Sequence, residues 1–331
     1  DPNDTSVYES VQLWHDNVIC IARPSCDRFV DTVVGEVAAL YREAGVLLRA
    51  VHLGGDEVPA GAWLGSPICR ARMAQQGWHT VHELRADFTA RCRAILARHC
   101  LGFAGWDENA LAASADGGVV ADPRFAGPGF QVYAWNNATG SSQEDCAWRL
   151  ANAGYEVVLA NAAHLYFDLA HAKDPQEPGY YWAGFVDTRS VFGFRPLDLD
   201  PLSGADQMGR PLSAQAAARL VGLSAPERIL GLQGQLWGEN AHSRARIEYL
   251  AAPRLLALAE RAWSPDPESH EGAGDPAVQL IGETRVGDYA VTLRTQGPVT
   301  DMEATYTSDP PLSQRDVQSL LRISQIYRQQ R

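Results

Sequence analysis

Along this chain of 331 residues, apolar strand-like runs alternate with stretches of helical periodicity, and each run ends in aromatic and polar residues. Parallel strands need a crossover between them, so this alternation is the pattern of an α/β protein with a parallel sheet. Asp31 to Ala44 carries Val33, Val34, Val37, Leu40 and Tyr41 at helical spacing, and Val46 to Leu53 then reads as a strand closed by Gly54-Gly55-Asp56-Glu57. Val81 to His99 is helical through Leu84, Phe88, Cys92, Ile95 and Leu96, and Leu101 to Trp106 is a strand ending in Trp106-Asp107-Glu108. Phe130 to Trp135 ends in Trp135-Asn136-Asn137. A helix over Gln143 to Ala153 follows, and Glu156 to Ala162 leads to His164-Leu165-Tyr166-Phe167-Asp168. Ile229 to Leu236 ends in Trp237-Gly238-Glu239 before a helix over Arg244 to Trp263. Functional groups of parallel α/β barrels gather at the carboxyl ends of the strands, so the expected fold is α/β, of the (β/α)8 TIM-barrel type.

The most informative strand end is the one at Asp56 and Glu57. A buried strand tolerates charge at its end only when the charge is paired or used, and here two carboxylates sit side by side. The two glycines before them remove side-chain bulk where the backbone turns, leaving room for something large to approach. Tryptophans interleaved with acids suit a sugar, since flat rings stack on pyranose C–H groups while carboxylates satisfy hydroxyls. The chain has nine tryptophans. Its net charge of −12, from 28 basic and 40 acidic residues, argues against nucleic acid as a partner. No run of eighteen apolar residues suggests a membrane span, and Asp1-Pro2-Asn3-Asp4 shows no signal peptide. Cys20, Cys26, Cys69, Cys92, Cys100 and Cys146 lack CxxC spacing and are sparse for a disulfide framework, which leaves one or two bridges open.

His52-Leu53-Gly54-Gly55-Asp56-Glu57 resembles the signature of family twenty glycoside hydrolases, the β-N-acetylhexosaminidases. Gly105-Trp106, Tyr133-Ala134-Trp135-Asn136, Tyr166-Phe167-Asp168, Gly179-Tyr180-Tyr181-Trp182 and Gln235-Leu236-Trp237-Gly238-Glu239 recur in that family's order. So does the closing Pro253-Arg254 to Ala262-Trp263-Ser264-Pro265, and Gly54 to Trp63 and Gly179 to Arg189 most resemble the bacterial chitobiase-like branch. The resemblance implies a catalytic barrel domain over residues 1–265, followed by a linker and small appendage over 266–331. It also implies a periplasmic or extracellular setting, and a terminal non-reducing β-linked N-acetylhexosamine of chitooligosaccharides or glycans as substrate.

The resemblance further implies retaining, substrate-assisted chemistry without a cofactor. Glu57 would be the general acid and base, with a pKa raised by burial and by Asp56, and Asp56 would orient the acetamido N–H. Tyr166 would bond the acetamido oxygen, and Trp106, Trp135 and Trp237 would wall the N-acetyl pocket and sugar face. Glu239 would accept from ring hydroxyls, Trp182 would stack on the next sugar, and Asp168 would touch the acid or acetamido network.

Each residue also has a plain reading. A lone Asp-Glu pair is most often solvated surface, and each tryptophan alone is most often packing. The shared strand-end placement separates Trp106, Trp135 and Trp237 from Trp63, Trp78, Trp148 and Trp263, which read as structural. His52 reads as a core histidine supporting the Asp56-Glu57 turn. His79-x-x-His82 has metal-ligand spacing but opens a helix in a polar stretch, so no metal site is expected.

One departure from the family pattern stands out. The family's acidic pair ends the fourth strand, and only about thirty residues before that strand are available for a loop and helix, so about the first three βα units are expected to be absent. A dimer partner or a further N-terminal segment would then cover the open edge. Glu268 to Pro276 reads as a linker, Asp288 to Arg294 and Met302 to Thr307 as short strands, and Pro311 to Arg331 as a helix. The alternative function is an incomplete remnant that binds sugars or serves as an interaction module.

Overall fold

The computed structural model describes residues 1–114, 118–141, 143–198, 220–264, 277–298 and 303–329, and the chain divides into two compact units, Asp1–Trp263 and Ser264–Arg331. In the first unit, helix α1 (Pro24–Glu43) leads to strand β1 (Ala50–His52), and helices α2 (Pro67–Gln76) and α3 (Val81–Arg98) lead to β2 (Gly102–Trp106). Strands β3 (Leu111–Ala113) and β4 (Val119–Ala121) pair antiparallel beside the sheet. Then come β5 (Phe130–Ala134), α4 (Cys146–Asn152), β6 (Glu156–Leu159), α5 (Ala162–Leu165), α6 (Thr188–Phe192), β7 (Ile229–Leu232), α7 (Arg244–Ala251) and α8 (Arg254–Trp263).

Five strands form one parallel sheet in the order β1-β2-β5-β6-β7, so chain order is spatial order. That is the arrangement of the last five strands of a (β/α)8 barrel, with the acidic pair following the first of them. The face toward the helices is Val51, Phe103, Phe130, Val132, Val157 and Leu159, all part of the main apolar core. Phe130 stacks on Phe103 at 4.5 Å and on Phe125 at 5.4 Å, each pair adding about 1 kcal/mol beyond burial. The opposite face carries His52, Trp106, Gln131 and Tyr133. In β5 the buried and half-buried positions alternate strictly, whereas β2 is buried on both faces from Phe103 to Trp106.

Several boundaries differ from the sequence expectation. Helix α1 begins seven residues before Asp31, at Pro24, where proline occupies the first helical turn and Asp27 faces the N-terminal dipole. Strand β1 is shorter than Val46 to Leu53 because its neighbour β2 begins only at Gly102, so the residues before Arg49 have no ladder partner. Strand β7 stops at Leu232 after a register shift opposite Val157 and Val158, and Gln235 then bridges Tyr166. The helix read over Arg244 to Trp263 is two helices, because Pro253 cannot continue the first and its predecessor Ala252 is extended (φ −101°, ψ 136°). Helix α3 matches its expected span closely; Thr80 and Glu83 form a capping box at its start.

The second unit holds three antiparallel strands, β8 (Ala277–Val286), β9 (Tyr289–Pro298) and β10 (Glu303–Asp309), in the order β10-β9-β8, and helix α9 (Gln314–Gln329). The strand over Ala277–Val286 is an addition to the sequence reading, and the linker read over Glu268 to Pro276 lies outside the described residues, as does Met302. Among the described residues, no helix is long and apolar enough to cross a membrane. All six cysteines are free thiols, with Cys20 and Cys69 buried and their sulfurs 3.7 Å apart.

Candidate active site

The loop leaving β1 places Gly54 at φ 69° and Gly55 at φ 96°, in the left-handed region where a side chain is strained. A Cβ on Gly55 would lie 2.4 Å from Asn109 Nδ2, so this position has no room for one. Asn109 fills that space for a reason. Its Nδ2 donates to Gly54 O at 2.7 Å and to Trp106 O at 3.1 Å, tying the β1 loop to the end of β2. Arg85 Nη2 donates to Gly55 O at 2.7 Å. Glu57 itself sits at φ 49°, a conformation that non-glycine residues rarely hold without support.

Glu57 is half-buried, and its carboxyl is held above the ordinary range first by desolvation and then by Asp56, with Glu108 and Glu239 adding to the effect. Gln12 Nε2 donates to Glu57 Oε2 at 3.3 Å and acts the other way. Glu108 accepts from the backbone N–H of Glu57 at 3.4 Å, and both its oxygens accept from Trp135 Nε1 at 3.3 Å. Behind it, the buried carboxyl of Asp107 is pushed well up by desolvation and by Glu108, with the Cys146 thiol donating to it at 3.4 Å.

The opposite wall comes from the segment after α5. Tyr166 and Asp168 are buried, and Asp168 Oδ1 accepts from Trp237 N at 3.5 Å. Desolvation raises the Asp168 carboxyl to about 6 and the Tyr166 phenol well above its usual range. Arg254, completely buried, donates to the carbonyls of Phe167, Leu169, Val186 and Leu250 and so grips the backbone on both sides of Asp168. Gly179 at φ 124° lets the Tyr180–Trp182 segment close onto this loop, since a Cβ there would lie 2.7 Å from Asp168 O.

Between these walls lies a cleft of about 720 Å³, lined by Asp56, Glu57, Trp106, Trp135, Tyr166, Asp168, Trp182, Trp237 and Glu239, together with Val11, Gln12 and Tyr180. Its rings form a continuous series. Trp237 lies 6.0 Å from both Trp106 and Tyr166, Tyr166 lies 6.0 Å from Trp182, and Trp182 lies 5.8 Å from Trp135. Trp106 and Tyr166 are buried at the base, while Trp182 and Trp237 are 41 % and 38 % exposed at the mouth. All nine residues singled out from the sequence therefore meet in one cleft. Among the described residues, no three His, Cys, Asp or Glu side chains form a metal-ligating group.

Two sequence readings change. His52 is an exposed side chain on the open sheet face, held edge-on between Trp106 at 4.9 Å and Tyr133 at 4.8 Å, though its Nδ1 does accept from Gly54 N at 3.2 Å. Trp263 is 89 % exposed, because the buried stripe of α8 is Arg254, Ala257 and Arg261 and the last residue falls off it. Trp63 and Trp148 are buried, and Trp78 packs on the smaller core cluster beside Trp63. Glu108, Arg85, Asn109 and Gln12 carried no assignment from sequence. Glu108 had a signal in the strand-end Trp106-Asp107-Glu108, whereas Gln12 reaches the cleft only because the N-terminal segment packs on residues 61–69, with Trp63 Nε1 donating to Ile19 O at 2.7 Å.

A parallel α/β sheet whose strand ends converge on a cleft of carboxylates and packed rings defines a protein of the α/β-barrel class with its candidate site at the carboxyl ends of the strands. Residues 1–266 match the model of the glycosyl hydrolase family 20 catalytic domain, and the chain belongs to that family. Among curated proteins it is 33 % identical over 268 residues to a beta-hexosaminidase of Vibrio vulnificus, covering 80 % of this chain and 30 % of the relative. It is 30 % identical over 297 residues to the N,N'-diacetylchitobiase of Vibrio harveyi, covering 80 % of this chain and 32 % of the relative. Among solved structures, the family 20 exo-beta-N-acetylglucosaminidase of Vibrio harveyi in complex with N-acetylglucosamine aligns with a TM-score of 0.61 at 30 % identity, over 80 % of this chain and 35 % of that one. The chain thus spans about a third of the length of these relatives.

Proposed function

We propose that this chain carries the chemistry of a retaining β-N-acetylhexosaminidase, which removes a terminal non-reducing β-linked N-acetylglucosamine or N-acetylgalactosamine by substrate-assisted catalysis. The observation that carries the reading is the pairing of Glu57, a carboxyl held above its ordinary range by desolvation and by its neighbour, with Asp56 in an aromatic-walled cleft. Glu57 donates its proton to the glycosidic oxygen as the bond to the anomeric carbon breaks. The substrate's 2-acetamido oxygen attacks that carbon, forming a cyclic oxazolinium, while Asp56 accepts the acetamido N–H and balances the developing positive charge. Glu57, now a carboxylate, takes a proton from water as the water opens the ring, so the anomeric configuration is retained.

In this scheme Tyr166 bonds the acetamido oxygen, Trp106, Trp135 and Trp237 enclose the acetamido methyl and the sugar face, Glu239 accepts from ring hydroxyls, and Trp182 stacks on the following sugar. Asp168 bears on the acetamido network through Tyr166 and Trp237. The resemblance to chitobiase-like enzymes extends the proposal to chitooligosaccharides and to action in the periplasm or outside the cell.

The test compares p-nitrophenyl β-N-acetylglucosaminide with the matching glucoside, which lacks the 2-acetamido group. Expected is release from the first only, with a rate that falls as pH rises through the raised Glu57 pKa. Comparable rates on both would rule out acetamido participation.

A further inference from the structure

Helix α3 reaches the loop after β1 with two side chains one turn apart. Thr89 Oγ1 donates to Asn109 Oδ1 at 3.3 Å, and Asn109 in turn holds the Gly54 carbonyl; Arg85, four residues earlier on the same face, holds the Gly55 carbonyl directly. Adjacent carbonyls of one turn are thus fixed from one helix, the first through a neutral amide and the second through a cation. A neutral donor would satisfy Gly55 O equally well. The guanidinium is instead partly withdrawn from water, which works against its charge, and the partners offsetting this are Glu108 and Asp56.

Resting on the reading above, we propose that Arg85 is a positioning residue for the acidic pair: it sets the backbone turn that presents Asp56 and Glu57 and supplies the positive charge beside Asp56. Among the described residues, the charged side chains nearest the acidic pair in the cleft are carboxyl groups. Asp56, Glu57, Asp168 and Glu239 line it and Glu108 backs it. Glu57 is faced by Asp56, Glu108, Glu239 and the amide of Gln12; Asp56 is faced by Glu57, His52, Tyr166 and Arg85. Arg254 lies on the far wall, near Asp168. Arg85 does not line the cleft, so it acts through the loop and not on the sugar.

The experiment sets Arg85→Gln and Arg85→Lys beside the parent chain, with kcat, KM and the pH profile on the nitrophenyl substrate, and with N-acetylglucosamine binding across pH followed by tryptophan fluorescence. Arg85→Gln should lower kcat about ten- to a hundredfold with KM within about twofold. It should also move both limbs of the pH profile, and the pH midpoint of binding, upward by roughly half to one pH unit. Arg85→Lys keeps the charge but not the planar reach, so it should lower kcat while leaving the limbs in place. A parent chain that hydrolyses nothing would sink the enzyme reading alone, and the binding midpoints would still decide the role of Arg85. Arg85→Gln with parent-like kcat and pH midpoint overturns the proposal. If that variant fails to fold, Arg85→Lys decides: a lowered kcat with an unmoved midpoint supports it, and a parent-like kcat or a shifted midpoint overturns it.

Discussion

The two walls of the cleft are built on opposite plans. The wall after β1 is glycine-rich, carries three left-handed residues out of four (Gly54, Gly55 and Glu57), and is held by polar bonds to its carbonyls from Asn109 and Arg85. The wall at Tyr166–Leu169 is packed, with Tyr166, Phe167, Asp168 and Leu169 all buried, no left-handed residue, and one fully buried arginine beneath it. The first plan places charges where they exchange protons and keeps them partly wet. The second fixes a binding surface by burial. The proposed reaction would draw on both plans, one to grip a sugar and one to protonate its leaving group, because rigidity and titratability call for different surroundings.

Substitutions that affect one wall and spare the other sharpen this contrast, and the largest effect belongs to the wet wall. Glu57→Gln should lower kcat on the nitrophenyl substrate by about 10²- to 10⁴-fold while the urea midpoint stays near that of the parent. A large stability loss instead would show that Glu57 holds structure. Arg254→Met, on the dry wall, should cost about 3–5 kcal/mol in urea unfolding, because the carbonyls of Phe167, Leu169 and Val186 lose their buried donor. A melt within about 1 kcal/mol of the parent would remove the distinction between the walls.

The pH response comes next in size. The Asp168 carboxyl titrates near 6 in the folded chain and near 3.9 when unfolded, so folding favours its protonated form. Its contribution is therefore full below about pH 4 and is lost as pH rises through about 6, a change of roughly 2–3 kcal/mol. Urea melts at pH 4 and pH 7 should show Asp168→Asn losing less stability on the rise than the parent; equal losses would refute the burial account. The smallest effect is at the mouth. Trp182→Ala should raise KM about fivefold, near 1 kcal/mol, and leave thermal stability unchanged, because the ring is 41 % exposed.

Much of this arrangement is legible in the chain itself. Strand ends announce themselves where an apolar run meets glycine, tryptophan or acid, and β2, β5 and α3 begin and end within a few residues of where the pattern puts them. What the pattern hides is the support. Arg85, Asn109 and Arg254 act through bonds to backbone carbonyls, and a carbonyl has no letter in a sequence, so nothing local marks which arginine will meet one. Gln12 belongs to the cleft only through long-range packing of the N-terminal segment. Trp263 misleads for a related reason: a large apolar residue in an amphipathic helix is assigned inward unless the phase of the buried stripe is known. The break at Pro253 was readable, and the uninterrupted apolar spacing on either side masked it.

The left-handed backbone of Glu57 bears on how this chain responds to selection. A glycine or asparagine at that position would relieve a conformational cost of about 1 kcal/mol. A screen for heat tolerance or soluble yield, run without an activity readout, would therefore favour variants that discard the carboxyl proposed here as the proton donor.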